Sequence, residues 1–345
     1  MNLFIYFYRS LENIKSFFTA FIMKKIGILT SGGDAPGMNA AIRAITKSAL
    51  HYGIQTVGIK DGFEGLMKGR FVNMKYTDVD NIIQRGGTIL GSARCPEFKN
   101  KEARKSAVKN VKDAGIEGLI VIGGDGSFRG ANVLAQEVNI PVIGLPGTID
   151  NDLYGTEATI GYDTALNTIV SAIDNIRDTA SSHKRVFFVE VMGRNSGFLA
   201  LNSAIASGAE SVLIPETITD IKALAEQLKT QNKGRRSSIV IVAEGDEEGG
   251  AIDIMKKIKP YLEDFKIRTT ILGHIQRGGS PSYFDRALAT RSGVMAVELL
   301  IAGQTEQMVG IKADELITVD FKDAIGKQAT PNLEKEDILK KLLTK

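Results

Sequence analysis

Short runs of apolar residues alternate with longer amphipathic segments along most of the chain, and glycine-rich loops stand between them. Residues 25–30, 55–59 and 119–122 have the length and the β-branched content of buried strands. The segments 38–52 and 127–138 follow such loops and place apolar side chains at helical spacing. This repetition of strand, loop and helix through the first 150 residues predicts an α/β protein with a parallel sheet.

The same alternation continues beyond residue 160. Apolar side chains recur at helical spacing from Ala165 to Ile176 and again from Ala287 to Leu300. Residues from Asp314 onward show no informative pattern, and no flexible linker marks a domain boundary. Further strands are predicted at residues 140–145, 186–191, 212–214, 238–243 and 268–273.

Two polar loops follow neighbouring strands near the middle of the chain. One reads G-G-D-G-S at residues 123–127, and the other reads G-L-P-G-T-I-D-N-D at residues 144–152. A right-handed crossover between their strands leaves both loops at the same edge of the sheet. In the first loop, the backbone N–H groups of a glycine-rich turn at the start of a helix could bind a phosphate. Asp125 could hold a metal ion that lies between phosphate oxygens. The second loop alone could be an Asx-rich turn, but the pair indicates a phosphoryl-transfer site.

Other stretches add weaker candidates. S-G-G-D-A-P-G at residues 31–37 is neither a Walker A loop nor a dinucleotide fingerprint, yet its amides could hold a phosphate. Arg94 could contact a nucleotide phosphate or could simply be solvated, and Glu244 follows a predicted strand. The basic loop with Lys233 and two arginines could equally be a solubilising patch.

Composition narrows the classes of function. The 345 residues suffice for two domains, and a hydrophobic content of 43% suffices for a full core. A net charge of +3 argues against nucleic acid or another strong polyanion as the partner. Cys95 is the only cysteine, which excludes an intrachain disulfide and fits a reducing cytoplasm.

Residues 1–22 form an apolar extension that differs from the alternating pattern. Charges at Arg9, Glu12 and Lys15 interrupt it as a membrane span, and it lacks the cleavage site of a secretory signal. It could be an amphipathic surface helix. We favour translation upstream of the true start, because Met23 directly precedes the first strand, and we expect no membrane partner.

Five motifs, taken in order, resemble those of bacterial-type ATP-dependent 6-phosphofructokinases (phosphofructokinase family A). They are T-S-G-G-D-A-P-G-M-N-A, I-G-G-D-G-S, P-G-T-I-D-N-D, E-V-M-G-R and L-G-H-I-Q-R-G-G-S-P. The similarity extends from about Lys24 to Gly310. It implies the phosphofructokinase fold, with two domains that are each a mostly parallel sheet flanked by helices. The larger, ATP-binding domain would be residues 23–160 plus 275–325, and the smaller, sugar-phosphate domain 161–274 plus 326–345.

The resemblance also implies a glycolytic kinase that transfers the γ-phosphate of Mg-ATP to the 1-hydroxyl of fructose 6-phosphate, giving fructose 1,6-bisphosphate and ADP. Asp150 would be the general base, and Thr148 and Asp152 would hold the phosphoryl group and order that base. Arg194 would neutralise charge on the transferring group, and Asp125 would hold Mg²⁺. The residues implied around ATP are Gly33, Arg94, Cys95, Gly124, Asp125, Gly126 and Ser127.

Family members are usually homotetramers with active sites shared between subunits, and Arg185 and Arg268 match positions that reach the sugar phosphate from a neighbouring subunit. An effector site for ADP or phosphoenolpyruvate would lie between subunits, and Tyr76 stands where some relatives place an arginine in it. The remaining sugar-phosphate residues are Thr148, Ile149, Asp150, Met192, Gly193, Arg194, Glu244, His274, Ile275, Gln276 and Arg277. The effector residues are Arg43, Lys47, Arg177, Glu210, Lys233, Arg235 and Arg236.

Alternative functions share parts of this pattern. A pyrophosphate-dependent relative would carry Asp at Gly126 and Lys at Gly147, so the two glycines favour ATP. NAD kinases and lipid kinases share G-G-D-G but lack the other loops, and a Rossmann dehydrogenase would need a clean G-x-G-x-x-G. A non-catalytic sugar-phosphate regulator on the same fold is disfavoured by the joint presence of Asp125, Asp150 and Arg194.

Overall fold

The computed structural model describes residues 23–180, 185–231 and 237–343. The expected N-terminal extension therefore lies outside the described residues. The strands are β1 (Lys25–Thr30), β2 (Gln55–Ile59), β3 (Phe71–Met74), β4 (Gly118–Gly123), β5 (Val142–Pro146), β6 (Arg185–Val191), β7 (Ser211–Leu213), β8 (Ser237–Ala243), β9 (Lys266–Ile271), β10 (Gln307–Lys312) and β11 (Glu315–Asp320).

Helices connect most of these strands. They are α1 (Met38–His51), α2 (Gly62–Lys68), α3 (Lys101–Asp113), α4 (Asp125–Val138), α5 (Tyr162–Ala180), α6 (Phe198–Ser207), α7 (Ile221–Gln231), α8 (Ala251–Ile258), α9 (Tyr283–Ile301), α10 (Phe321–Ala324) and α11 (Glu334–Leu343). Each helix in the described part of the chain is too short or too polar to cross a membrane.

The described strands form two sheets. The larger has the order β11-β10-β5-β4-β1-β2-β3, and the smaller has the order β7-β8-β6-β9. All pairs in the smaller sheet are parallel, whereas the larger sheet is parallel except for its two edge pairs, β2–β3 and β10–β11. This confirms the predicted α/β class with mostly parallel sheets flanked by helices.

Burial explains why the central strands read as continuous apolar runs. Every residue of β4 and β5 is buried, as expected for parallel strands that are covered by helices on both faces. Helix α1 packs against α9, where an added Cβ at Gly293 would lie 2.8 Å from the Cβ of Ala44. One apolar cluster includes Ile122 of the larger sheet and Ile241 of the smaller sheet, so the core is shared between the sheets.

The C-terminal region is more ordered than its sequence pattern suggests. Residues after Asp314 form β11, α10 and α11, although the sequence showed no informative pattern there. The strand β11 is half-exposed, and α10 has four residues, so neither carries a strong periodic signal. Phe321 is buried and stacks on Phe128 of α4 with ring centroids 5.3 Å apart, and α11 packs against α6.

Candidate active site

A cleft of about 860 Å³ opens at the carboxyl ends of β1, β4 and β5. The loops that follow these strands supply most of its lining, as the crossover rule predicts for parallel strands. Predicted site residues that line this one cleft are Gly33, Arg94, Cys95, Gly124, Asp125, Gly126, Ser127, Thr148, Asp150, Asp152, Arg194 and Arg277.

The loop that begins α4 presents its acidic residue to the cleft. Asp125 lies in the first turn of α4, where its carboxylate faces the positive end of the helix. Its Oδ2 lies 2.9 Å from Nε of Arg129, and its Oδ1 accepts a hydrogen bond of 2.8 Å from the backbone N–H of Gly326. Gly123 must be glycine, because an added Cβ would lie 2.6 Å from the carbonyl oxygen of Ser31.

The loop after β5 is fixed mainly by its own polar groups. The Gly147 N–H donates to the Gly123 carbonyl at 3.1 Å, which ties this loop to the G-G-D-G-S loop. Asn151 has a left-handed φ of 53°, and its Oδ1 accepts from the Thr159 N–H at 2.8 Å. Asn151 is therefore a scaffold residue, and the two aspartates on either side of it line the cleft.

Asp150 is the most deeply buried carboxylate of the cleft, with 2% of its surface exposed. Its Oδ1 accepts no hydrogen bond from the described residues, and NH2 of Arg277 lies 4.0 Å away. Nε of Arg194 lies 3.6 Å from its Oδ2. Burial raises the pKa of Asp150 above its ordinary value, whereas the two arginines act in the opposite sense. Asp150 is therefore a buried carboxyl group with a raised pKa, and two arginines lie beside it.

Asp152 follows two residues later and also lines the cleft. Burial raises the pKa of the Asp152 carboxyl, and the charge of Asp150 raises it further. Asp125 acts on this pKa in the same direction, so the three carboxylates share one electrostatic environment. A cation bound near them, such as a metal ion that also contacts a phosphate, would reduce the repulsion between the three carboxylates.

Arg194 reaches the cleft from the loop after β6. Its backbone has φ of 53°, and its N–H donates to Oε1 of Glu244 at 2.8 Å. Gly245 permits this conformation, because an added Cβ there would lie 1.9 Å from the carbonyl oxygen of Arg194. Glu244 thus positions Arg194 and influences the pKa of Asp150, although Glu244 itself does not line the cleft.

Arg277 joins the loops of both sheets. It is 8% exposed, and its NH1 donates to the Asp34 carbonyl at 3.1 Å. An added Cβ at Gly33 would lie 2.6 Å from the same nitrogen, so the glycine loop must approach the guanidinium closely. The preceding residue, Gln276, is fully buried, and its Oε1 accepts from the Met192 N–H at 3.1 Å.

Some predicted sugar-phosphate residues do not line the cleft. Ile149 is fully buried, while His274 and Ile275 are exposed outside it. Arg268 is exposed on the edge strand β9, and Nε of Arg185 is buried without a hydrogen-bond partner among the described residues. The predicted residues outside the cleft lining are Ile149, Arg185, Met192, Gly193, Glu244, Arg268, His274, Ile275 and Gln276.

The predicted effector residues fall into two groups. On α1, where Arg43 also lies, Nζ of Lys47 lies 2.8 Å from Asp80 and 3.7 Å from the ring centre of Tyr76. On α5, NH2 of Arg177 donates to the carbonyls of Ser207 and Gly208 at 2.9 Å, and NH1 lies 3.6 Å from Glu210. Lys233, Arg235 and Arg236 lie outside the described residues.

Sequence reasoning missed one end of the cleft. Phe63 and Phe98 stack there with centroids 4.3 Å apart, and Arg104 is buried in a 2.8 Å ion pair with Glu137. Two features could have indicated this end of the cleft. They are the short helix α2, which carries Phe63, and the buried face of α3, which carries Arg104. The missed lining residues include Phe63, Pro96, Phe98, Lys99, Arg104, Arg129, Gly130 and Val133.

Similar proteins share both the sequence and the architecture. ATP-dependent 6-phosphofructokinase 2 of Bacteroides thetaiotaomicron is 54% identical over 321 residues, which cover 93% of this chain and 98% of the relative. ATP-dependent 6-phosphofructokinase 1 of Thermus thermophilus is 53% identical over 311 residues, which cover 90% of this chain and 96% of the relative.

Solved structures agree with this similarity. A phosphofructokinase of Pichia pastoris in the T-state has a TM-score of 0.82 and 38% identity over 88% of this chain, which spans 35% of that longer chain. A pyrophosphate-dependent phosphofructokinase of Marinobacter aquaeolei has a TM-score of 0.80 over 94% of this chain and 92% of its own, and its 20% identity shows the fold alone. A phosphofructokinase family profile matches residues 25–300. The chain belongs to the phosphofructokinase family.

Proposed function

We propose that this chain is an ATP-dependent 6-phosphofructokinase, which transfers the γ-phosphoryl group of ATP to the 1-hydroxyl of fructose 6-phosphate in glycolysis. The observation that carries the proposal is the buried Asp150 carboxylate, whose Oδ1 has no hydrogen-bond partner among the described residues and which has two arginines within 4.0 Å. The relatives named above, at 53–54% identity, support the same reaction.

Asp150 acts as the general base for the acceptor hydroxyl. Its raised pKa makes it a stronger base than an exposed aspartate. The nearby arginines limit this rise and so favour the ionised carboxylate that accepts the proton. Arg194 and Arg277 then stabilise negative charge that shifts onto the phosphoryl oxygens. Thr148 lines the cleft in the same loop and orients the group that transfers.

ATP is the phosphoryl donor. An added Cβ at Gly126 would meet nothing within 4 Å, so the cleft wall is open at this point. A lysine at Gly147 would meet Cγ2 of Ile122 at 2.8 Å and Cε of Met38 at 3.2 Å, so this backbone does not accept one without repacking. The stacked Phe63 and Phe98 at the end of the same cleft offer an apolar surface for a nucleoside.

Magnesium is the expected cofactor, and Asp125 is the residue that would hold it. The described residues contain no cluster of three or more metal-ligating side chains. Mg²⁺ usually takes one or two carboxylates and completes its shell with water and substrate phosphates. When bound, the ion would neutralise phosphate charge, and Asp152, which lines the same cleft, would share this role.

We further propose that the active protein is a homotetramer with sites shared between subunits. Arg185 and Arg268, which do not line the cleft of their own chain, would serve the site of a neighbour. Arg43, Lys47, Arg177 and Glu210 would contribute to an effector site for ADP or phosphoenolpyruvate. The single cysteine is compatible with a cytoplasmic location.

A coupled assay tests the function directly. Purified protein is supplied with fructose 6-phosphate and Mg²⁺, and either ATP or pyrophosphate is added as the donor. We expect turnover with ATP and background rates with pyrophosphate. Comparable rates with pyrophosphate would refute the donor argument, and binding of fructose 6-phosphate without turnover would favour a non-catalytic regulator.

A further inference from the structure

The C-terminal chain between β11 and α11 passes beside the loops that line the cleft. Residues 326–329, here called the strap, connect α10 with the segment that leads to α11. The strap lies outside residues 25–300, which match the family profile. Its residues are exposed or half-exposed, so burial of its own side chains does not explain its position.

Both ends of the strap are anchored, but to different parts of the molecule. Before it, Phe321 is buried against Phe128 of α4, which begins at the G-G-D-G-S loop. After it, Leu339 of α11 is buried, and Nζ of Lys335 donates to Oδ1 of Asn202 on α6 at 2.8 Å. The strap therefore passes from the larger-sheet side of the cleft to elements beside the smaller sheet.

Along this path the strap contacts the two acidic loops and lies beside the Arg194 loop. The Gly326 N–H donates to Oδ1 of Asp125 at 2.8 Å. The Ala329 N–H donates to the Asp152 carbonyl at 3.0 Å, and Gln328 forms a β-bridge with Leu153. Nε2 of Gln328 lies 3.5 Å from the carbonyl of Asn195, the residue after Arg194.

The first of these contacts is favoured by glycine. Gly326 has φ of 78°, a left-handed conformation that residues with a Cβ rarely adopt. This conformation aims the N–H at Asp125, whose other oxygen pairs with Arg129. Since an N–H bonded to a carboxylate is a charge-assisted hydrogen bond, it fixes the direction of that carboxylate.

We propose that the strap is a positioning element, which sets the Asp125 carboxylate in register with the Asp150–Asp152 loop across the cleft. The proposal rests on the proposed function for the roles of these loops. The strap touches no reacting atom itself, so its effect on turnover is indirect. Its loss should weaken binding of metal-loaded nucleotide more than binding of the nucleotide alone.

The test compares two glycine variants with matched backbone strain. Gly326→Ala forces a Cβ into the left-handed conformation of the strap, 3.3 Å from NH2 of Arg129. Gly303→Ala does the same at φ of 74°, in the turn after α9, where an added Cβ meets nothing within 4 Å. Gly326→Asn is the conservative variant, since asparagine tolerates this conformation better than alanine and keeps the N–H.

Affinity for the non-hydrolysable analogue adenylyl imidodiphosphate is measured by calorimetry, with Mg²⁺ and without it. We expect Gly326→Ala to weaken the Mg²⁺-loaded analogue about fivefold or more and the metal-free analogue less than about twofold. Gly326→Asn should recover part of the loss, and Gly303→Ala should match the unmutated protein. Equal behaviour of Gly326→Ala and Gly303→Ala would overturn the proposal.

Hydrogen exchange of the unmutated protein gives a second measurement that needs no folded variant. The amides of Gly326 and Ala329 should exchange more slowly than those of neighbouring exposed residues, because both are bonded across the cleft. Exchange at the rate of an open loop would overturn the proposal even if the Gly326 variants fail to fold. If the protein shows this protection but lacks fructose 6-phosphate kinase activity, the proposed function is refuted while the proposal about the strap stands.

Discussion

The two walls of the cleft differ in how completely one chain builds them. The wall that we propose for the nucleotide, here called the nucleotide wall, consists of Gly33, Arg94, Cys95 and residues 124–127, all of which line the cleft. Among the residues that we propose for the sugar phosphate, here called the acceptor wall, Asp150, Arg194 and Arg277 line the cleft, while Arg185, Arg268 and His274 do not. Most of the nucleotide wall follows β1 or β4, whereas the acceptor wall combines Asp150, which follows β5, with arginines that follow β6 and β9 of the smaller sheet.

This difference has a physical origin. A phosphate can be held by backbone amides of consecutive residues, which one loop supplies without help from distant parts of the chain. A sugar phosphate needs several charge-bearing side chains from different directions. The homotetramer proposed above would complete the acceptor wall with side chains of a neighbouring subunit. The following predictions can break or sharpen this comparison.

Asp150→Asn should have the largest effect. The variant keeps the shape of the loop but cannot take the hydroxyl proton, so kcat should fall at least about 10²-fold. Binding of both substrates, measured by calorimetry, should persist. In the unmutated enzyme, kcat should fall on the acid side of its pH profile with an apparent pKa above the ordinary aspartate value, because burial raises the pKa of Asp150. A kcat near that of the unmutated enzyme would exclude Asp150 as the base.

Arg268→Ala should affect only the acceptor wall. Loss of a charge-assisted contact predicts an increase of about tenfold in KM for fructose 6-phosphate, with KM for ATP changed less than about twofold. Lys312→Ala is a control, since Lys312 is, like Arg268, an exposed cation on a strand.

Mixing subunits sharpens this second prediction. Hybrids of Asp150→Asn and Arg268→Ala chains would contain some sites with both native residues, if Arg268 serves a neighbour. Dissociation and reassembly of the mixture should therefore raise activity at low fructose 6-phosphate above the average of the two variants. If no gain appears although hybrids form, the acceptor wall belongs to a single chain.

A buried carboxyl outside the cleft lining should show a smaller, pH-dependent effect. Asp285 is fully buried at the start of α9, where it accepts hydrogen bonds of 2.8 Å from the N–H groups of Gly161 and Thr164. Burial raises its pKa to about 6, and the charge of Asp163 acts in the same direction. Its unfolded pKa is near the ordinary aspartate value, so the folded state binds the proton more tightly.

This contribution to stability is therefore present at low pH and is lost as the pH rises through about 6. Between pH 5 and pH 7, the free energy of unfolding should fall by about 1 kcal/mol from this group alone. Urea unfolding at both pH values should show that Asp285→Asn removes this part of the pH dependence. Asp253→Asn, an exposed aspartate on α8, should leave it unchanged. An equal slope in Asp285→Asn and the unmutated protein would contradict the assignment.

Arg177→Ala should have the smallest effect on the unliganded enzyme. Arg177 bonds the end of α6 and lies away from the cleft lining, so kcat should stay within about twofold. If the effector site exists, ADP should lower, or phosphoenolpyruvate raise, the fructose 6-phosphate concentration at half-saturation in the unmutated enzyme. The variant should reduce that shift. The regulatory hypothesis fails if neither effector moves the saturation curve of the unmutated enzyme.

The sequence by itself determined the elements that have strong periodicity and the loops at their ends. The predicted strands at residues 25–30 and 55–59 have the observed bounds, and most other predicted strands and helices differ by one or two residues. This succeeded because buried parallel strands are continuous apolar runs. The loops of Asp125 and Asp150 could be predicted together, because the carboxyl ends of parallel strands meet at one sheet edge. Gly33 was added by the family resemblance.

Only the tertiary structure decided what comes from distant or weakly patterned segments. The strap, the Phe63–Phe98 stack and the buried pair of Arg104 with Glu137 depend on contacts between residues more than 30 positions apart. No local period encodes such contacts. Gln276 shows the same limit, since its motif suggested a ligand contact, whereas its side chain bonds the backbone of Met192. Which polar side chain faces a ligand and which supports a neighbour follows from packing, which the order of residues alone does not reveal.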